Sequence, residues 1–262
     1  MQQAAEWIAF EHPLSERIRF LLRLEFLFAE LRHHRADASV WGLRAGVHTF
    51  LDTLSVMGRT DMRTELLKEL ADQLAALGRL ARRPEVNAAR LAQVQGEIGS
   101  AIAGLQGMSS SHPAMMLREN EFLFAVLNRS SIPGGICGFD LPAYHRWLAR
   151  PHDEAERDLE TWSTRLRPIE RAIGLYLQLL RESSEPIERV AEGGIYLHVP
   201  QAPCQLVRVL LPAEADVYPE ISAGKHRISI RLMRLGDVNT RNNQAGGSIG
   251  FQFQCCHLAG HA

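Results

Sequence analysis

Two periods of hydrophobicity divide this chain. From Pro13 to about Ser183 apolar residues recur at helical spacing, and after Pro186 they alternate with polar ones at every second position. The first block predicts a helix from Pro13 to Leu31, with Pro13 in its opening turn. A second amphipathic segment, Val40 to Val56, offers Trp41, Val47, Leu51 and Leu54 to a core. A third begins near Asp61, a natural N-cap, carries Leu66, Leu67, Leu70, Leu74, Leu77 and Leu80, and stops before Pro84. Asn87 starts a fourth, whose stripe of Leu91, Val94, Ile98, Ile102 and Leu105 makes it an antiparallel partner for the third. Another helix is expected from Pro113 to Arg129.

The run Ser131-Ile-Pro-Gly-Gly135 through Phe139-Asp-Leu-Pro142 then interrupts regular structure. Asp140 is expected to cap a short helix holding Tyr144, His145, Trp147 and Leu148, which Pro151 closes. Helices from Glu154 to Leu166 and Pro168 to Ser183 follow, with Trp162, Ile169, Ile173, Tyr176, Leu177 and Leu180 toward the core. Beyond them Ile195, Leu197 and Val199 alternate with Tyr196 and His198, and Cys204 to Leu211 is almost continuously apolar. Ile228, Ile230 and Leu232 alternate with Arg227, Ser229 and Arg231, and Ile249, Phe251 and Phe253 with Gly250, Gln252 and Gln254. Strands after a run of helices give an α+β layout: an α-helical domain over residues 1–184 and an antiparallel β-sheet domain over 185–262, with one solvated sheet face.

With 262 residues, 46% of them hydrophobic, and a net charge of -1, the composition is that of a globular protein with no bulk affinity for polyanions. An electropositive site must therefore be local. The start lacks a basic-then-apolar leader, and Arg23 and Glu25 interrupt the longest apolar run, so a cytoplasmic protein without a membrane partner is expected. Cys137, Cys204, Cys255 and Cys256 form no CxxC, and the adjacent pair suits neither a framework disulfide nor, with His257 and His261, a zinc site. No metal or cofactor is expected.

Arg19 and Arg23 lie one turn apart on the first helix, where like charges oppose each other by a few tenths of a kcal/mol. Either Glu16 and Glu30 compensate them locally, which is the favoured reading, or an anionic partner does. Arg227 and Arg231 share one strand face about 13 Å apart and, with Lys225, make a second basic patch. A solvated charged face is the plainer account of that patch. Catalytic motifs fail. Gly246-Gly-Ser-Ile-Gly250 has the GxSxG string of a nucleophile elbow but leads into a strand, with no carboxylate following Ser248. Gly134, Gly135 and Gly138 lack the strand and helix of a dinucleotide site. No enzyme activity is expected. A nucleic-acid-binding protein using the same basic faces is the alternative, opposed by the near-neutral balance and the lack of a reading motif.

Several blocks in order resemble the ZapD family of bacterial cell-division proteins. They are Phe10-Glu-His-Pro-Leu14 with Glu16 and Arg19, Leu22-Arg-Leu-Glu-Phe-Leu27, Arg63-Thr-Glu-Leu-Leu-Lys-Glu-Leu70, and Ser131-Ile-Pro-Gly-Gly135 with Phe139-Asp-Leu-Pro142. Tyr218-Pro with Ile221-Ser222, followed by Lys225, Arg227, Ile230 and Arg231, completes them, and the resemblance ends at Cys255-Cys256. It implies a homodimer, each subunit joining a helical to a β domain, that binds the C-terminal tail of FtsZ, cross-links its filaments and supports the division ring at midcell. Family positions tied to tail binding match Arg23, His145 and Arg227. Arg19, Arg59, Arg63, Arg118, Lys225 and Arg231 join them as basic neighbours on physical grounds alone. Where relatives carry an arginine before the Ser-Ile-Pro-Gly-Gly block, this chain has Glu121.

Overall fold

The computed structural model describes residues 6–58, 61–80, 86–108, 113–224, 226–234, 236, 239 and 243–258, with backbone only at 113 and 114. It is an α+β protein of two compact units, Phe20–Tyr176 on one hand and Met1–Arg19 with Leu177–Ala262 on the other.

The helical unit takes most of α1 (Glu16–Ala36) and α9 (Arg167–Arg181) and all of the helices between them. These are α2 (Val40–Met57), α3 (Met62–Leu80), α4 (Ala88–Gln106), α5 (Pro113–Glu119), α6 (Glu121–Ser130), α7 (Pro142–Leu148) and α8 (His152–Thr164). α2 is central, burying Leu43, Val47, Phe50, Leu51, Leu54 and Met57 and packing against α5, α6, α7 and α8. Ser39 caps it, its hydroxyl accepting from the Gly42 amide at 3.0 Å. Gly46 lets α8 close on it: a Cβ there would stand 2.9 Å from the Leu159 side chain. α3 and α4 pair as a hairpin with the expected caps, Asp61 accepting from the Thr64 amide at 3.2 Å and Asn87 from the Arg90 amide at 3.0 Å. Arg35 of α1 donates twice to Glu156 of α8, at 2.6 and 2.8 Å.

Four expectations need correction here. Pro13 does not open α1. It ends a strand, β1 (Trp7–Pro13), and the helix starts three residues later, at Glu16, just after Ser15, whose hydroxyl accepts from the Ile18 amide at 3.2 Å. Trp41 is no core residue but 77% exposed, because it sits in the first turn of α2 with the Arg44 guanidinium 5.5 Å from its ring. The helix expected from Pro113 to Arg129 is two helices, since Asn120 leaves the helix to cap α6, accepting from the Leu123 amide at 3.0 Å. Asp140 caps nothing: it accepts from the Cys137 thiol at 3.3 Å, and α7 begins from Leu141 without a side-chain cap.

The second unit is one antiparallel sheet. After β1 come β2 (Ile187–Glu192), β3 (Ile195–His198), β4 (Leu206–Pro212), β5 (Val217–Ala223), β6 (Ile228–Arg234), β7 (Asn243–Gln244) and β8 (Ser248–Cys256). The order is β1-β4-β8-β2-β3-β6-β5, with β7 on β6. β5 also approaches β1 and β4, so the sheet curls upon its core of Val207, Val209, Leu211, Ile228, Ile230, Leu232, Phe251 and Phe253.

Register at β3 is fixed by a two-glycine hairpin turn. Gly193 and Gly194 have φ of 57° and 74°, the left-handed pair that a tight hairpin between β2 and β3 requires. Tyr196 and His198 consequently turn inward, their rings against Phe251 and Phe253 at centroid distances of 5.3 and 4.8 Å. The aliphatic members of the alternation, Ile195 and Leu197, face outward.

On the opposite side of β1, β4 and β8 a polar line runs across the strands, Glu11 opposite Arg208 and Arg208 opposite Gln254. The end of α9 closes on it. Arg181 holds the Glu11 carboxylate with two bonds of 2.8 Å, Arg208 adds a third at 2.9 Å, and the Gln254 amide donates to the Arg181 carbonyl at 3.0 Å. Burial raises the pKa of Glu11, but the bonds and charges of the two arginines outweigh it and hold the carboxyl below its ordinary value.

Candidate functional site

The basic residues singled out above fall into three groups according to what the fold does with them. Some are committed locally. Arg19 is half-buried and lies 3.4 Å from Glu16, the i,i+3 pairing expected of it. Arg63 spends its guanidinium on the C-terminal carbonyls of α4, Leu105 at 2.8 Å and Gln106 at 3.0 Å, where a cation suits the helix dipole. Arg231 meets Glu220 of β5 across the strands at 3.0 Å. Arg59 and Lys225 lie outside the described residues.

The second group is exposed and makes no ion pair with any described residue. Arg23 stands on α1 opposite the buried row Ile18, Leu21, Leu24, Phe28 and Leu31, and its neighbour one turn on, Phe26, is 65% exposed. Arg227 precedes β6, on the outer side of the sheet. Arg118 ends α5. Near it Glu121 occupies the first turn of α6, where a carboxylate is favourable to the helix whatever it does for a partner.

His145 forms a group of its own. Its ring is exposed, and Gly138 approaches so closely that a Cβ there would lie 3.2 Å from Nδ1. Beneath it an aromatic cluster of Phe122, Tyr144, Trp147 and Trp162 packs with ring centroids 5.5 to 6.0 Å apart. Trp147 also donates to Asp158 at 2.9 Å. Tyr144 is buried, which pushes its phenol up to about 12 against the opposing charge of Arg44 above the ring. Arg44 in turn donates to the Ile136 carbonyl at 3.1 Å, so the glycine-rich turn is tied to α2.

Sequence patterning overlooked two exposed apolar features, one in each unit. One is the outward aliphatic row of β3, continued by Val199. The other is the exposure of Phe26 beside Arg23. A signal existed for the first: a Gly-Gly turn fixes hairpin register, and Tyr196 and His198 can reach an aromatic core.

Among the described residues no cluster of His, Cys, Asp or Glu is arranged to hold a metal, and no helix is long and apolar enough to cross a membrane. His261 lies outside the described residues. Cys255 does pair, against expectation, with Cys204 rather than with its neighbour: the strand sends it to one side, where the Cα atoms stand 5.6 Å apart, and Cys256 to the buried other. Ser248 lies exposed in β8 and donates to Glu192, with no nucleophile elbow around it.

The fold and surface thus define an α+β protein in which Arg23, Arg118 and Arg227 are exposed and make no ion pair with any described residue. Comparison with known proteins adds the family. The family model for ZapD, described as a cell division protein, matches residues 22–231. Proteins named cell division protein ZapD from Methylococcus capsulatus, Aromatoleum aromaticum and Coxiella burnetii are 37%, 39% and 35% identical to this chain, over 96%, 96% and 97% of it and 98%, 98% and 99% of their own lengths. The chain belongs to the ZapD family of cell division proteins.

Proposed function

We propose that this protein is a non-catalytic adaptor of the division ring that binds the C-terminal tail of FtsZ through its exposed arginines and, as a homodimer at midcell, cross-links FtsZ filaments into bundles. The observation that carries this reading is that Arg23 and Arg227, the arginines at positions the family resemblance ties to tail binding, are exposed and have no ion pair among the described residues. His145, on its aromatic base, is the third contact proposed. Arg118 is an auxiliary cation near the position of Glu121, and Arg59 and Lys225 are proposed neighbours. Arg19, Arg63 and Arg231, already bonded within the chain, contribute less.

The energetics suit an adaptor. A flexible tail loses conformational entropy on binding, and an exposed arginine–carboxylate pair returns only about 0 to 1 kcal/mol, so each site is weak. Two symmetric sites convert weak binding into bridging through effective concentration. Titration of a fluorescein-labelled FtsZ tail peptide, followed by anisotropy, is expected to give saturable binding whose affinity falls as salt rises from 50 to about 300 mM. Binding indifferent to salt contradicts the arginine-based site.

A further inference from the structure

The register of β2, β3 and β6 sorts the outer side chains of the sheet into rows. β2 presents Glu188, Val190 and Glu192, and β3 presents Ile195 and Leu197, with Val199 just beyond its end. Ile195 lies opposite Arg231 and Leu197 opposite Ser229, and Val199 and Arg227 each lie one residue past the last pair, His198 opposite Ile228. An aliphatic row therefore runs between a carboxylate row and an arginine row. Leu197 is 57% and Val199 69% exposed, unusually bare for side chains of this size standing together. Strand spacing sets the β3 and β6 rows about 4.8 Å apart, β2 meets β3 at Glu192 and Ile195 beside the turn, and the aliphatic row is about 13 Å long, the length of four or five extended residues.

Charge on this face is sided. Glu188 accepts from Gln252 at 2.8 Å and Glu192 from Ser248, so the β2 edge is held as a fixed acidic border. On the β6 edge Arg231 is neutralised by Glu220, whereas Arg227 meets no carboxylate among the described residues. A segment carrying carboxylates is repelled along one border and attracted to Arg227 along the other. We propose that the Ile195–Leu197–Val199 row is the apolar floor for the FtsZ tail, seating its apolar side chains in extended form while an acidic side chain reaches Arg227. The inference rests on the tail-binding reading above and deepens it: arginines alone bind too weakly, and desolvating this row supplies the missing, salt-independent part of the affinity.

The test compares three proteins in the tail-peptide titration: wild type, the double variant Leu197→Ser with Val199→Ser, and Trp41→Ser as a control that removes an exposed apolar side chain from the helical unit. The double variant is expected to lose about tenfold or more in affinity, with an unchanged circular dichroism spectrum, while Trp41→Ser binds as wild type does. Should the double variant misfold, Leu197→Thr, which keeps a strand-forming residue at an exposed position, is expected to lose severalfold. Wild-type affinity in a folded sheet variant overturns the floor and leaves tail binding by the arginines standing. Absence of binding by wild type overturns both. A sheet variant that turns from dimer to monomer in analytical ultracentrifugation, with its affinity per chain unchanged, assigns the row to a second copy and overturns the proposal.

Discussion

Glu11→Gln is expected to lower the free energy of unfolding by about 3 kcal/mol. The side chains of Glu11 and Arg208 are each only 18% exposed, and that of Arg181 24%. Removing the carboxylate therefore takes from two largely buried arginines the anion that both of them hold, and the amide offers one weaker acceptor in place of two charged ones. The loss is expected in urea denaturation followed by circular dichroism. A shift under 1 kcal/mol means the triad is no more than a surface network.

The same residue gives acid sensitivity a definite sign. Its folded pKa is depressed from 4.5, because the two arginines outweigh the effect of burial. The stability it confers is therefore complete above about 4.5 and disappears as pH falls through the lower folded value. In Glu11→Gln that part of the acid dependence is absent, so variant and wild type converge as pH drops.

The second large effect is on binding. Arg23→Glu and Arg227→Glu are each expected to weaken tail binding by at least tenfold while leaving the unfolding midpoint within a degree or two of wild type. Both side chains are exposed and make no ion pair with a described residue, so reversal costs the fold little, yet it converts an attraction to carboxylates into a repulsion. Arg63→Glu is expected to do the opposite. It uncaps α4 by removing donors to Leu105 and Gln106, and so destabilises more than it weakens binding. Equal affinities for wild type and a folded Arg23→Glu variant remove α1 from the site.

Much of this architecture is legible in the sequence because local chemistry and global fold agree. Asp61 and Asn87 stand at the helix starts their side chains favour, and Ile228, Ile230 and Leu232 turn inward as their alternation with Arg227, Ser229 and Arg231 demands. Failures come where tertiary context decides. β1 is masked by Glu11, a charge that only its distant partners Arg181 and Arg208 make tolerable inside a strand, and by Pro13, which reads as a helix opener yet sits at the strand's last position. Asn120 looks like one polar residue within a helix until its side chain is seen capping the next one. Among the candidate site residues, Arg23 and Arg63 look alike as letters. One is exposed without an ion pair among the described residues and the other holds two backbone carbonyls, a difference that depends on α4 ending beside the start of α3. The outward row of β3 was hidden for the reverse reason, since hydropathy alone sends Ile195 and Leu197 inward and the Gly193–Gly194 turn sends them out.

Bundling of FtsZ filaments is proposed to come from this protein's hold on their C-terminal tails. Low-speed co-sedimentation with assembled FtsZ, full-length against a form lacking the tail, tests it most directly. The protein is expected to pellet with full-length filaments and to stay in the supernatant with tail-less ones, and pelleting is expected to decline as salt is raised. Equal bundling of tail-less filaments contradicts it.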